Sequence, residues 1–294
     1  MTFNDNADIS SGKVSKRGRN GAIIGGAGGG GLLIVGLVIL SQVLGVDLTG
    51  LAGGGTGTDT GPSDSLEQCA TGADANADLD CRMKGAAAAL DDYWASEAPA
   101  IGVNYTAPAD FVLFTDGVNT GCGAASSATG PFYCPADQIL YVDTTFFAEL
   151  RDNYGSSGGP LAQMYVVAHE WGHHIQNIAG VLEGTNDGDT GPGSATIRTE
   201  LQADCFAGAW VGDAANTEDE NGVTFLVTPT QAELDDALSA AAAVGDDRIQ
   251  SQSGQVNPES WTHGSSDQRQ KWFMAGYNGG AGACDTFSPS TSQL

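Results

Sequence analysis

One segment constrains the fold more than any other: residues 158–180, GGPLAQMYVVAHEWGHHIQNIAG. Gly158, Gly159 and Pro160 suit a helix start and Gly180 a C-terminal stop. At about 100° per residue, with His169 at zero, His173 falls near 40°, Glu170 near 100° and His174 near 140°. Met164, Val167, Trp171, Ile175 and Ile178 fall between roughly 160° and 240°, on the opposite face. Such a helix needs a core against its apolar face. Its other face carries two imidazoles at i and i+4, close enough to hold one ion, with Glu170 able to lean over that ion without ligating it. His174 lies at the edge of the apolar face and reads as a packing or hydrogen-bonding residue.

A catalytic zinc of this kind needs a third protein ligand and one open position for water. The next helical stretch, ATIRTELQADCFAGAWVGDAA, carries Glu200 and Asp204 on one face. Glu200 is placed to complete the site, and Asp204 to accept an N–H bond from a ligating histidine. H-E-x-x-H followed after 27 residues by E-x-x-x-D therefore predicts one catalytic Zn²⁺ on His169, His173 and Glu200. That ion would activate a water, with Glu170 as general base. His263, next to Gly264 and near Arg269, is the candidate donor to a developing oxyanion; a cap on the last helix is the equal alternative for it.

Charge limits the partners. The chain has 11 basic and 36 acidic residues, a formal charge of −25. Lys13, Lys16, Arg17 and Arg19 precede residue 46, leaving seven basic against 34 acidic residues beyond it. That surface repels phosphate backbones, so no nucleic-acid partner is expected. Between Asn20 and Val46 there is no charge, and GLLIVGLVILSQVLG fits one membrane-spanning helix of about 20 residues. Basic residues before it and acidic ones after it predict a cytoplasmic N-terminus and an extracytoplasmic main domain in the cell membrane. A cleaved signal peptide is the rival reading, but no small-x-small cleavage site follows the run convincingly. GGAGGGG, Gly25 to Gly31, contains GxGxxG but follows no strand, so a dinucleotide loop is not expected; Gly26 and Gly30 offer a GxxxG contact for a weak homodimer.

Six cysteines fit an exported domain. They allow 15 pairings. Local spacing suggests Cys69–Cys81 and Cys122–Cys134, leaving Cys205 and Cys284 as a long-range pair. Zinc ligation by cysteine is the other reading, although no CxxC occurs.

The chain then divides into an N-terminal cytoplasmic tail (1–21), an anchor (22–46), a Gly/Ser/Thr/Asp linker (47–65), a main domain (66–287) and a C-terminal tail (288–294). CRMKGAAAALDDYWASEA predicts a helix ending before Pro99, and FVLFTDGV and QILYVDTTFF predict strands flanking the Cys122–Cys134 segment. TPTQAELDDALSAAAAVGDDRI predicts a helix opened by the capping box of Thr230 and Glu233, and a last helix follows a turn at His263. DANADLD, Asp74 to Asp80, alternates oxygens like a calcium loop, but Leu79 stands where glycine is required, so a solvated acidic turn is expected. The expected class is α+β: a mainly helical domain with a small sheet, preceded by one transmembrane helix.

The ligand pattern resembles that of the thermolysin-like zincins. CP-DQ-LYVDTTFF-EL, HEWGHHIQ, RTELQADCFAG, AAAVGDDRIQ and THGSSDQR further resemble the bacterial neutral zinc metallopeptidases, over nearly all of residues 66–287 and at GVDLTGL. That resemblance implies a zinc-dependent enzyme with peptide or protein substrates and a single N-terminal membrane anchor. The competing expectation is an envelope binding or scaffold protein that keeps a zincin fold without turnover.

Overall fold

The computed structural model describes residues 2–17, 63–185, 189–251 and 254–294. In chain order these form β1 (Ser15–Arg17), β2 (Ser63–Ser65), α1 (Gly72–Ala77), α2 (Leu79–Glu97), β3 (Asp110–Phe114), β4 (Gly117–Thr120), β5 (Gly123–Ser126), β6 (Phe132–Cys134) and β7 (Ile139–Asp143). There follow α3 (Phe146–Asp152), α4 (Pro160–Ile178), α5 (Val181–Gly184), α6 (Ala195–Asp213), α7 (Gln231–Ala243), α8 (Asp246–Ser251) and α9 (Ser266–Gly279), with short 3₁₀ turns between some of them.

The two expected strands are β3 and β7, and they run parallel in a five-stranded sheet ordered β2-β1-β3-β7-β6. Their side chains alternate between two apolar layers, as period-two geometry requires. Phe111, Leu113, Leu140 and Val142 join the main core, while Val112, Phe114 and Tyr141 join a smaller cluster with Val118. That second cluster also holds Cys134, whose disulfide to Cys122 ties β6 to the β4–β5 hairpin. Cys69–Cys81 and Cys205–Cys284 are also bonded, so all three pairings suggested by spacing are present.

The N-terminal residues overturn the expected localisation. Phe3, Ala7, Ile9 and Val14 are buried in the main core. β1 lies inside the sheet, parallel to β3 and antiparallel to β2, with Arg17 opposite Ser63. A segment folded into the domain cannot sit across a bilayer from it, so the assignment of a cytoplasmic N-terminus and an extracytoplasmic domain on either side of one span is wrong. Among the described residues no helix is long and apolar enough to cross a membrane. The expected anchor at 22–46 and the Gly26–Gly30 contact lie outside the described residues.

The acidic DANADLD turn is used for helix caps: Asp74 closes a capping box with Thr71, and the Asp78 side chain accepts from the Cys81 amide. Thr230 and Glu233 form the expected capping box of α7, but the expected helix does not run through to Ile249. It breaks at Val244 and Gly245, where the chain passes so close to the start of α9 that a Cβ at Gly245 would meet the amide nitrogen of Ser266 at 2.5 Å. Beyond the break, Asp246 and Asp247 turn toward the loop ahead of α9.

Candidate metal centre

Helix α4 does not have the two-faced character its sequence suggests. It is buried almost all round, with His169, Glu170, His174 and Gln176 among its buried residues and His173 half-buried. α6 packs closely on it at Gly172, where a Cβ would stand 3.0 Å from the Ala203 Cα. That approach brings Glu200 to the histidines. Glu200 Oε2 lies 3.3 Å from His169 Nε2, and Oε1 lies 3.5 Å from His173 Nε2. One ligand atom from each of the three residues falls within 4.8 Å of the others, so the group could hold a metal ion. The other such grouping among the described residues, Cys69, Asp78 and Cys81, has its thiols consumed in a disulfide.

The surroundings orient these donors. Asp204, fully buried, accepts from His169 Nδ1 at 2.9 Å, which leaves Nε2 turned toward Glu200. Arg269 of α9 grips Asp204 with two bonds, Nε to Oδ2 at 2.8 Å and Nη2 to Oδ1 at 2.9 Å. The Tyr165 hydroxyl, one turn before His169, donates to the same carboxylate. Arg269 can reach it because α6 and α9 touch backbone to backbone: a Cβ on Gly208 would overlap the Phe273 carbonyl, and one on Gly276 that of Cys205. Arg269 Nη2 also lies 3.3 Å from His169 Nδ1, but two N–H groups facing each other make no bond, so the carboxylate between them holds both. His173 Nδ1 has a neutral partner instead, Gln176 Oε1 at 2.8 Å.

Electrostatics follow from this packing. Burial alone would lower the pKa of His169, but the carboxylates of Asp204 and Glu200 outweigh it and push the pKa up to about 10. Burial opposes the charge on Glu200 too, yet His173, His169 and His263 hold it well below the usual carboxylate range. Asp204 is likewise kept ionised against burial by Arg269 and His169. The field at the two Nε2 atoms thus favours a cation. Two imidazoles tied at Nδ1 and one anionic carboxylate fit zinc.

Glu170 is 9 % exposed, and its carboxylate has no hydrogen-bond or ion-pair partner among the described residues. His263 is among the groups that hold Glu200 ionised. It does not cap α9, whose N-cap is Ser265 in a box with Gln268. Asp246 holds its loop instead: Oδ2 accepts from the amides of Thr262 at 2.8 Å, His263 at 2.6 Å and Gly264 at 3.0 Å. His263 Nδ1 faces Thr262 Oγ1 at 2.8 Å and Asp246 Oδ1 at 3.4 Å, leaving Nε2 without a protein partner among the described residues. His174 lies apart from the donors. Its Nε2 donates to the Thr106 carbonyl at 2.7 Å, so Nδ1 accepts from the Tyr133 hydroxyl at 3.1 Å, pinning α4 to β6.

The structure thus brings His169, His173, Glu200 and Asp204 together, keeps Glu170 beside His169 on α4 and His263 on the loop ahead of α9, and adds Tyr165, Gln176, Asp246 and Arg269, which the sequence reading did not single out as supports. Gln176 carried a signal, standing at i+3 from His173. For Asp246 and Arg269 no periodicity joins them to the histidines.

The helix pair brings together converging donors, with their carboxylate and amide supports, that could hold a metal ion. The chain belongs to the family described as "Putative neutral zinc metallopeptidase", whose model matches residues 3–287. The match takes in the N-terminal segment that folds into the core. The chain is 51% identical over 230 residues to an uncharacterized protein of Mycobacterium tuberculosis, covering 77% of each. It is 39% identical over 272 residues to the uncharacterized Escherichia coli protein YpfJ, covering 90% of this chain and 88% of YpfJ. No solved structure matches it.

Proposed function

We propose that the protein is a metallopeptidase that hydrolyses peptide bonds in peptides or proteins, with one zinc ion held by His169, His173 and Glu200 in the manner of the thermolysin-like enzymes. Membership in a zinc metallopeptidase family supports the zinc and the substrate class. The observation that carries the finer reading is the convergence of the two Nε2 atoms on Glu200 while both Nδ1 atoms are bonded outward. When bound there, zinc supplies a Lewis acid that brings the pKa of a water ligand to about 7 and polarises the scissile carbonyl.

The chain's own groups do the rest. Glu170, whose carboxylate has no partner among the described residues, takes the proton of the attacking water and delivers it to the leaving amine. His263 donates from Nε2 to the carbonyl oxygen as it becomes anionic, and Asp246 holds the loop that presents it. Asp204 keeps His169 in the Nδ1–H form with Nε2 free to ligate.

The test uses the full chain, because Phe3, Ala7, Ile9 and Val14 are part of the core. Zinc content and cleavage of a peptide library are measured for wild type and Glu170→Gln. The variant should retain zinc and lose activity by about 10²–10⁴-fold. Zinc near one per chain with no Glu170-dependent cleavage would favour a binding protein, and well-folded protein without zinc would remove the reading.

A further inference from the structure

His169 and His173 are held by different means. The acceptor for His169 is an anion clamped by an arginine, whereas the acceptor for His173 is the amide of Gln176, three residues on along α4. Gln176 is fully buried, and its own orientation is set from outside the helix. One end lies 2.7 Å from the Thr199 carbonyl, which can only accept, so that end is the NH₂ group. The oxygen therefore faces His173, and since it can only accept, Nδ1 carries the hydrogen and Nε2 presents a lone pair toward Glu200.

The second N–H of Gln176 points to Gln202 Oε1 at 3.1 Å. The same reasoning orients Gln202, because its other end lies 2.9 Å from the Cys284 carbonyl, again an acceptor only. Donors consequently run one way, from His173 to Gln176 to Gln202 to the Cys284 carbonyl. Cys284 follows α9, beyond a short 3₁₀ turn, and is bonded to Cys205 of α6, the residue after Asp204. Through Thr199, Gln176 also grips the residue immediately before Glu200.

We propose that Gln176 and Gln202 form a positioning relay that fixes the tautomer and ring plane of His173 for metal binding, anchored at its far end by the Cys205–Cys284 disulfide. The proposal rests on the reading of His169, His173 and Glu200 as the zinc donors. Neither glutamine touches substrate or metal. The relay acts by leaving the imidazole a single tautomer and narrowing its rotation, so the preorganisation lost without it appears in metal affinity rather than in fold stability alone. It also makes a disulfide on α6 and the post-α9 segment matter to a ligand on α4.

The experiment measures zinc dissociation constants on the full chain by competition with a chromophoric chelator, and the visible spectrum of the cobalt-substituted protein. Gln176→Leu and Gln202→Leu should each weaken zinc binding, by about 10–100-fold for the directly bonded Gln176 and less for Gln202. The cobalt spectrum should change in both. Gln176→Glu, which restores an acceptor for Nδ1, should recover part of the loss. Cys205→Ala with Cys284→Ala should weaken zinc in the same direction, whereas Cys122→Ala with Cys134→Ala should not. Gln202 is only half-buried, so its leucine variant carries the test if the cysteine variant loses its fold. Zinc affinity within twofold of wild type for Gln202→Leu, with an unchanged cobalt spectrum, overturns the relay. Failure of the wild type itself to bind zinc overturns the donor reading beneath it, and with it the relay.

Discussion

Phe3 tests most directly whether the N-terminus belongs to the domain. It is 2 % exposed, its amide donates to Asn76 Oδ1 at 2.9 Å, and its carbonyl accepts from Asn76 Nδ2 at 2.9 Å. The ring lies over Gly85 of α2, where a Cβ would stand 2.7 Å from Cε1 and 2.8 Å from Cζ. Phe3→Ala should therefore cost about 3–5 kcal/mol as a cavity in the core. In a domain of this size each kcal/mol lowers Tm by about 2–4 °C. Gly85→Ala supplies the complementary perturbation. Alanine in a helix interior is favoured over glycine by about 1 kcal/mol, but overpacking against a fixed ring costs about 1–3 kcal/mol. In wild type, Gly85→Ala should be neutral to destabilising. In the Phe3→Ala background the ring is gone and the same change should stabilise by up to about 1 kcal/mol. The coupling between the two sites is thus about 1–3 kcal/mol, read from urea unfolding of the four proteins by far-ultraviolet circular dichroism. Additive effects, or an unfolding midpoint indifferent to Phe3→Ala, would refute the packing and return residues 1–17 to the status of a tail.

Three further outcomes follow from the centre. Asp204→Asn should destabilise the metal-free protein by about 3–5 kcal/mol, because it leaves Arg269 buried without its anion, and Asp204→Asn with Arg269→Met should cost less than the sum of the two; additive losses in denaturant melts would contradict the clamp. His263→Ala should leave zinc content unchanged while lowering kcat by about 10²–10³-fold, with Asp246→Asn moving kcat in the same direction, so loss of zinc in either variant would make His263 part of the metal site instead. Removing zinc with a chelator should lower Tm, and titrating zinc back should raise it with concentration as RT ln(1 + [Zn]/Kd) requires; a Tm blind to zinc would mean that the ion does not bind the folded chain.

Much of the centre was legible because it is local. His169 and His173 are one helical turn apart, Glu200 and Asp204 repeat that spacing, and the capping boxes and Gly–Pro punctuation that bound their helices are written in consecutive residues. The disulfides were legible for a similar reason, since two of the pairs close short loops and the third was what remained. The amphipathic reading of α4 failed by half, because helical periodicity ranks the faces of a helix by polarity and cannot say that other helices will cover the polar face as well.

The N-terminal error has the same origin. Residues 2–17 are polar and charged with scattered apolar positions, too few to announce a core segment, and the uncharged run after them fits a membrane span by composition alone. What makes Phe3, Ala7, Ile9 and Val14 core residues is a surface supplied by residues 66–90, and what makes Ser15–Arg17 a strand is the open edge of β3. By itself, then, the sequence determined which side chains could ligate a metal and on which helices they ride, because those relations repeat every turn. The tertiary structure alone decided that the N-terminus shares the domain's core, that Asp246 carries the His263 loop, and that two glutamines and a disulfide stand behind His173. These contacts join residues tens to hundreds of positions apart, and no period in the chain encodes which surfaces meet.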